Sequence, residues 1–384
     1  MANRFWVGGS GTWDAASTTN WSATSGGAGG ASAPVAADAV IFDSASGSGT
    51  CTTAAGSTCT TLTFNTSTLS LVLGANHTMA GVFTLTAGAV DLNSYALRCL
   101  IFTSTAANAR TLAFGTTGKV EITRTTTVTN AFDTHNVTVP IVYTGTPLVE
   151  MIGNAAAGTT IGFRGTVDAN NPISLNIKTG SGTINVGSGF AWNNVDFTGF
   201  SGTWNAALIN VYGDLTLSPT MTSVFVSTPL NFLKASGTQT ITSNGVTINT
   251  GITINSAGVT VGCADALTLG STRTLTITNG TLQLKNGVTS SVGSFVANSA
   301  NIKFLQSTTP GSQATLSQAS GTVNVVDLTI RDINATGGAS WNAYTDFENT
   351  DAGNNDGWDF SLSPPYSTAE FPIAIRSFTQ PRRF

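Results

Sequence analysis

The sequence predicts an all-β chain wound as a parallel, right-handed β-helix, a solenoid of about a dozen short coils, with β-sandwich domains as the rival fold. Three observations carry this. Apolar pairs recur as Val246/Ile248, Ile252/Ile254, Val259/Val261, Leu267/Leu269, Leu275/Ile277 and Leu282/Leu284, each split by one polar residue, nearly always Thr, and consecutive pairs begin six to eight residues apart. A helix would space its apolar positions at three and four, so these are very short strands with alternate side chains inward, each ended by a turn. The composition agrees: 9% of residues are charged, 41% are hydrophobic and 42 of the 384 are Gly. Globular chains carry roughly 25% charged residues. A chain this apolar is not disordered, and its Thr, Val and Ile suit pleated surfaces while Gly and Asn suit tight corners. Finally, the long alternations that sandwich strands require are few.

The elements follow in order. Residues 1–33 hold Trp6, Trp13 and Trp21 ahead of a Gly/Ala/Ser stretch, and read as an aromatic cap over the open edge and exposed core of the first coil, with a sugar-binding platform as the alternative. Residues 34–335 form the body. Its alternation runs through Val40–Phe42, Leu62/Phe64, Leu69/Leu71/Leu73, Phe83/Leu85, Leu112/Phe114 and Val137/Val139/Ile141, then on through Ile173/Leu175/Ile177, Ile184/Val186, Leu215/Leu217 and Val323/Val325. Three strands of about seven residues make a coil of roughly 22 residues. Stacked at ~4.8 Å, the coils give a prism about 60 Å long.

The section from about 128 to 210 is less regular. It carries Pro140, Pro147 and Pro172, read as longer corners, and is rich in aromatics, of which Trp192 and Trp204 are the candidate glycan contacts. Residues 336–360 read as a closing coil. Residues 361–384 abandon the Thr alternation and place four prolines among aromatics and bases, so the segment should run extended. Pro364, Pro365, Phe371, Arg376, Phe378, Arg382, Arg383 and Phe384 are the candidate docking residues for a neighbouring subunit, a disordered end being the alternative.

Charge and motif content narrow the chemistry. A net charge of −4 without a basic stripe is no nucleic-acid footprint. The N-terminus has no basic region followed by an apolar run, and no stretch reaches the ~20 apolar residues of a membrane span. Cys51, Cys59, Cys99 and Cys263 lack zinc-site spacing and read as buried thiols, with a Cys51–Cys59 bridge open in an oxidising compartment. His77 and His135 stand in Thr/Asn-rich contexts and read as surface histidines, Asp133 beside the latter. Six acids, Asp332, Asp346, Glu348, Asp351, Asp356 and Asp359, gather near the end. There they read as corner and cap residues rather than a carboxylate pair or a calcium loop. No catalytic residue, metal site or cofactor is assigned.

One resemblance is specific. The closing series Arg331-Asp332, Ala335-Thr336-Gly337-Gly338, Trp341 and Gly353-Asn354-Asn355-Asp356-Gly357-Trp358 resembles the terminal coils of β-helical repeat proteins encoded by tailed bacteriophages and some bacteria. The opening Phe5-Trp6-Val7-Gly8-Gly9 to Asn20-Trp21 resembles the start of the same group, so the match brackets about 360 residues, with degenerate repeats between. The closing segment departs in having Asn355-Asp356-Gly357 where a Thr or similar residue often sits. The resemblance implies a structural protein of a virion or cell surface and carries no active-site motif. The expectation is therefore a non-enzymatic virion component made in the host cytoplasm: a tail fibre or spike, or a capsid-decorating protein. Its partners would be other virion proteins and further copies of itself, a trimer in the fibre or spike case. A carbohydrate-binding adhesin is the rival binding function, and a polysaccharide depolymerase with two or three carboxylates converging in a groove is the rival enzyme.

Overall fold

The computed structural model describes residues 1–362 apart from 137, 167, 188–189, 207–208 and 227. Apart from one short antiparallel return strand near the N-terminus, the strands stack in parallel as roughly 14 turns of a β-solenoid, somewhat more than the dozen expected. At the ~4.8 Å strand spacing the rod is about 65 Å long. Each regular coil contributes to three faces. Val40, Leu62, Phe83 and Phe102 follow one another up the first face. Cys51, Leu71, Val90 and Leu112 do so on the second, and Leu97, Val120, Val149 and Leu175 on the third. Inward columns of like residues make one continuous, narrow core, and the Phe83–Phe102 and Phe102–Phe132 rings stack at 5.3 Å.

The apolar pairs of the sequence are all buried, and pairs three apart stack: Ile248 on Leu269, Ile252 on Leu275, Val261 on Leu282. The strands themselves are longer than the pairs. Ile252–Cys263 and Thr274–Leu284 each continue round a corner, with the register slipping at Asn255. Where the chain turns, Gly280 has φ +87°, and a Cβ there would lie 2.2 Å from the Ser256 carbonyl oxygen. Gly280→Ala is therefore expected to cost more than about 2 kcal/mol, from the left-handed backbone and the displaced corner together. Denaturant midpoints of the two proteins would measure it.

The middle coils are the irregular ones. Phe132 follows Phe102, and Phe163 follows Phe132, at distinctly wider sequence steps than the coils before them. The extra residues leave the faces as loops. Val139 and Ile141, read from the sequence as part of a strand, lie in such a loop, while Val137 is outside the described residues. The reason is local: Asn136 Oδ1 accepts the backbone N–H groups of Thr138 and Val139, both at 2.9 Å, and Pro140 offers no ladder donor. The buried Arg110 guanidinium donates to the carbonyls of Ser104 and Val139 and so ties two of these loops together.

The N-terminal end is filled by tryptophan. Trp6, Trp13 and Trp21 are fully buried and meet edge to face, Trp6–Trp21 at 5.1 Å and Trp13–Trp21 at 5.3 Å. With no ring face left exposed, these residues form no sugar-binding platform. The strands Asn3–Trp6 and Gly11–Trp13 pair in parallel with the next coil, whereas Trp21–Ser22 returns antiparallel to Asn3–Trp6. That return strand occupies an edge to which another chain would otherwise add. At the other end Trp341 and Trp358 pack at 5.0 Å, and Trp358 is half-buried. The four cysteines are free and buried, and burial pushes the Cys59 and Cys263 thiols up to about 12.

Candidate functional site

An alternating strand sends its charged residues outward, and one stretch of the third face collects them. Arg98 stacks on Glu121 and Glu121 on Glu150, then Asn176 and Asp196 follow, one per coil. Glu121 Oε2 lies 2.6 Å from Arg98 Nη2, and Lys119 Nζ reaches Glu121 at 2.7 Å and Glu150 at 2.9 Å. Burial pushes the Glu121 carboxyl up, but the Lys119 ammonium and Arg98 guanidinium outweigh it and hold the group below the usual carboxylate range. Burial likewise opposes the Lys119 charge, and the two carboxylates overcome it and raise that ammonium. Two glutamates thus stand on adjacent rungs, bridged by a lysine. A general acid needs its proton near neutral pH, and Glu121 is locked in the opposite state.

Beside this ladder, at the corner between the second and third faces, lies a groove of about 470 Å³ lined by Thr116, Thr146, Ser174, Asn176 and Asn193 with Pro147 and Leu148. Glycine makes the recess. Gly145 has φ +80°, and a Cβ on it would meet the Gly115 carbonyl oxygen at 2.3 Å, so the two coils approach backbone to backbone at the floor.

The sequence-selected aromatics are not in this groove. Trp192 and Trp204 are both 0% exposed, which corrects their assignment as glycan contacts. Trp204 lies 4.9 Å from Phe197 inside the core, and Trp192 stacks in register between Ile173 and Val211. The alternation itself held the signal: Thr203 and Asn205 flank Trp204, and Asn193 follows Trp192, so the polar neighbours face out and the indoles face in. The docking residues Pro364, Pro365, Phe371, Arg376, Phe378, Arg382, Arg383 and Phe384 lie outside the described residues.

The other candidates resolve into structural contacts. His77, read as a surface residue, is buried, with Nδ1 3.2 Å from Ser57 Oγ and its ring 5.0 Å from that of Trp13. His135 is half-buried: Arg164 donates to its Nδ1 at 2.7 Å and pairs with Asp133 at 3.1 Å. Near the end, Asp332 accepts from Gly311 N–H at 3.0 Å and from Asn354 Nδ2 at 2.6 Å, while Asp351 accepts from Gly353 N–H at 2.9 Å and Asn355 Nδ2 at 2.7 Å. These are corner-tying bonds. Among the described residues no group of three or more His, Cys, Asp or Glu is placed to hold a metal, and no helix is long and apolar enough to cross a membrane.

Like the charged ladder, Lys303 escaped the sequence reading. Lys303 points into the core and donates to the carbonyls of Ser299 at 2.5 Å and Asn301 at 2.6 Å. Burial brings its ammonium down to about 8 from 10.5, against the opposing pull of Asp327. The folded chain therefore releases this proton before the unfolded chain does. Stability is expected to rise between pH 8 and 10.5 by on the order of 3 kcal/mol from this group. Lys303→Met should remove that rise, which parallel urea titrations across the interval would read.

Comparison with protein-family models, with curated proteins and with solved structures finds no match to this chain. The class defined by the fold is that of a parallel β-solenoid.

Proposed function

We propose that the protein is a rigid, non-catalytic structural element of a tailed-bacteriophage particle, serving as a tail fibre, spike or capsid-decorating subunit for display or attachment. What supports a rod is the core itself: inward columns run through successive coils without interruption, so the body is one stiff prism. What favours a phage particle is the closing series from Arg331 to Trp358 together with the Trp-rich opening. The observation that carries the non-catalytic part is the state of a carboxylate pair that the described residues place on adjacent rungs. Glu121 and Glu150 are bridged by Lys119, with Arg98 on Glu121, so neither is poised opposite the other across a substrate bond as glycoside hydrolysis demands. Partners in this reading are other virion proteins and further copies of the chain.

The test is immunogold imaging of purified particles with antibody against residues 1–362, combined with incubation of the purified protein with host surface polysaccharide. Labelling at a fixed place on capsid or tail, with no new reducing ends released, is the expected result. Particles that carry no label, or a polysaccharide that is cut, would overturn the proposal.

A further inference from the structure

We infer that the groove at the corner of the second and third faces is a binding site for a neutral oligosaccharide lying along the rod axis. This goes beyond the structural role and does not depend on it, since the groove is the same wherever the rod is mounted.

The groove's volume of about 470 Å³ falls among small-molecule sites rather than protein interfaces. Its polar lining is hydroxyl and carboxamide throughout, and Pro147 and Leu148 offer an apolar strip against which the C–H face of a sugar ring rests. Hydrogen-bonding capacity is spare. The Asn176 amide makes no hydrogen bond to a described residue, and Asn194 spends its Oδ1 on the Asp214 N–H at 2.8 Å while keeping its NH₂. Spacing supplies the fit to a chain molecule. Thr116, Thr146 and Ser174 belong to successive coils, so hydroxyl oxygens repeat at ~4.8 Å, close to the length of one pyranose residue; the Thr146 hydroxyl donates to the Thr116 carbonyl at 2.7 Å and so offers a ligand its lone pairs.

Charge decides between sugar classes. Lys119, which follows the lining residue Gly118, is held between Glu121 and Glu150, and Arg98 is held by Glu121. Lys178, exposed and two residues beyond Asn176, lies 4.0 Å from Asp196 Oδ2, so each of these described cations already faces a carboxylate, and Glu150, on the rung next to Asn176, repels a sulfate, phosphate or carboxylate. A neutral polyhydroxylated chain is the ligand this wall accepts.

The test is binding of the purified full chain to a printed array of neutral, sialylated and sulfated glycans, then calorimetric titration with the best binder. A neutral glycan is expected to bind. Asn176→Ala and Asn193→Ala should each weaken it about tenfold, the loss of one good hydrogen bond. Asn205→Ala, on the first face and paired with Asn185 at 3.0 Å, should leave binding unchanged. Because Asn176 has no described hydrogen-bond partner, its variant should melt like the parent chain, so a loss of binding is not a loss of fold. An array with no neutral signal, a signal confined to anionic glycans, or binding that survives both groove variants would overturn the inference.

Discussion

Trp13→Ala is expected to unfold the N-terminal coils in a separate, earlier transition while the rest of the rod stays folded. Trp13 is 0% exposed and sits between Trp21 at 5.3 Å, Phe42 at 6.2 Å and His77 at 5.0 Å. Its indole N–H has no acceptor among the described residues, so packing is its contribution there. Removing a buried Trp costs about 3–5 kcal/mol, a large part of the roughly 5–15 kcal/mol that holds a typical domain. In a solenoid each coil contacts only its neighbours, so the loss stays local. Hydrogen exchange should show the strands Asn3–Trp6 and Ala39–Phe42 losing protection while Lys303–Ser307 and Leu328–Arg331 keep theirs. Trp13→Phe, which keeps a ring against Trp21, should recover most of the effect. A single transition at the parent midpoint for Trp13→Ala would show that the tryptophans only fill space.

Acid should attack the same end. Burial brings the His77 imidazole down to about 4 from 6.5. The groups facing it are the Ser57 hydroxyl, the Cys59 thiol and the Trp13 ring, none of them a carboxylate that would stabilise the charged form. Above pH 6.5 both folded and unfolded chains hold the histidine neutral, and its full contribution is present. As pH falls from 6.5 towards 4 the unfolded chain takes up the proton and the folded chain does not, so stability drops by about 1.4 kcal/mol per pH unit, on the order of 3 kcal/mol in all. His77→Leu should abolish this component, because Leu97 already occupies the next rung of that column. The measurement is the difference in stability between parent and variant at pH 7, 5.5 and 4, which cancels carboxylates common to both. A difference that does not change with pH would mean that the site admits water and protonates freely.

The two residues show why parts of the structure were legible and others were not. Trp13 announced itself: three tryptophans within 21 residues at the start of a repeat array have few uses besides filling an end. His77 did not, because a Thr/Asn-rich sequence looks exposed, yet position 77 shares its face with Met79 and is aimed inward by the same alternation that hides Trp192 and Trp204. Residue type suggested surface and parity dictated core, and parity prevailed. The groove was illegible for another reason. Thr116, Thr146, Ser174 and Asn193 are unremarkable singly, and they meet only because coils of unequal length bring them to one corner.

By itself, then, the sequence determined the rod, since in a strand the side-chain period of two sorts each residue to core or solvent without reference to any distant partner. It also marked the two tryptophan-bearing ends. Only the tertiary structure decided which residues stack: that Lys119 bridges Glu121 to Glu150, that Arg164 reaches Asp133 and His135, and that Gly145 meets Gly115 beneath a polar groove. Those contacts depend on the number of residues in each coil, which loop insertions change without altering the alternation on either side.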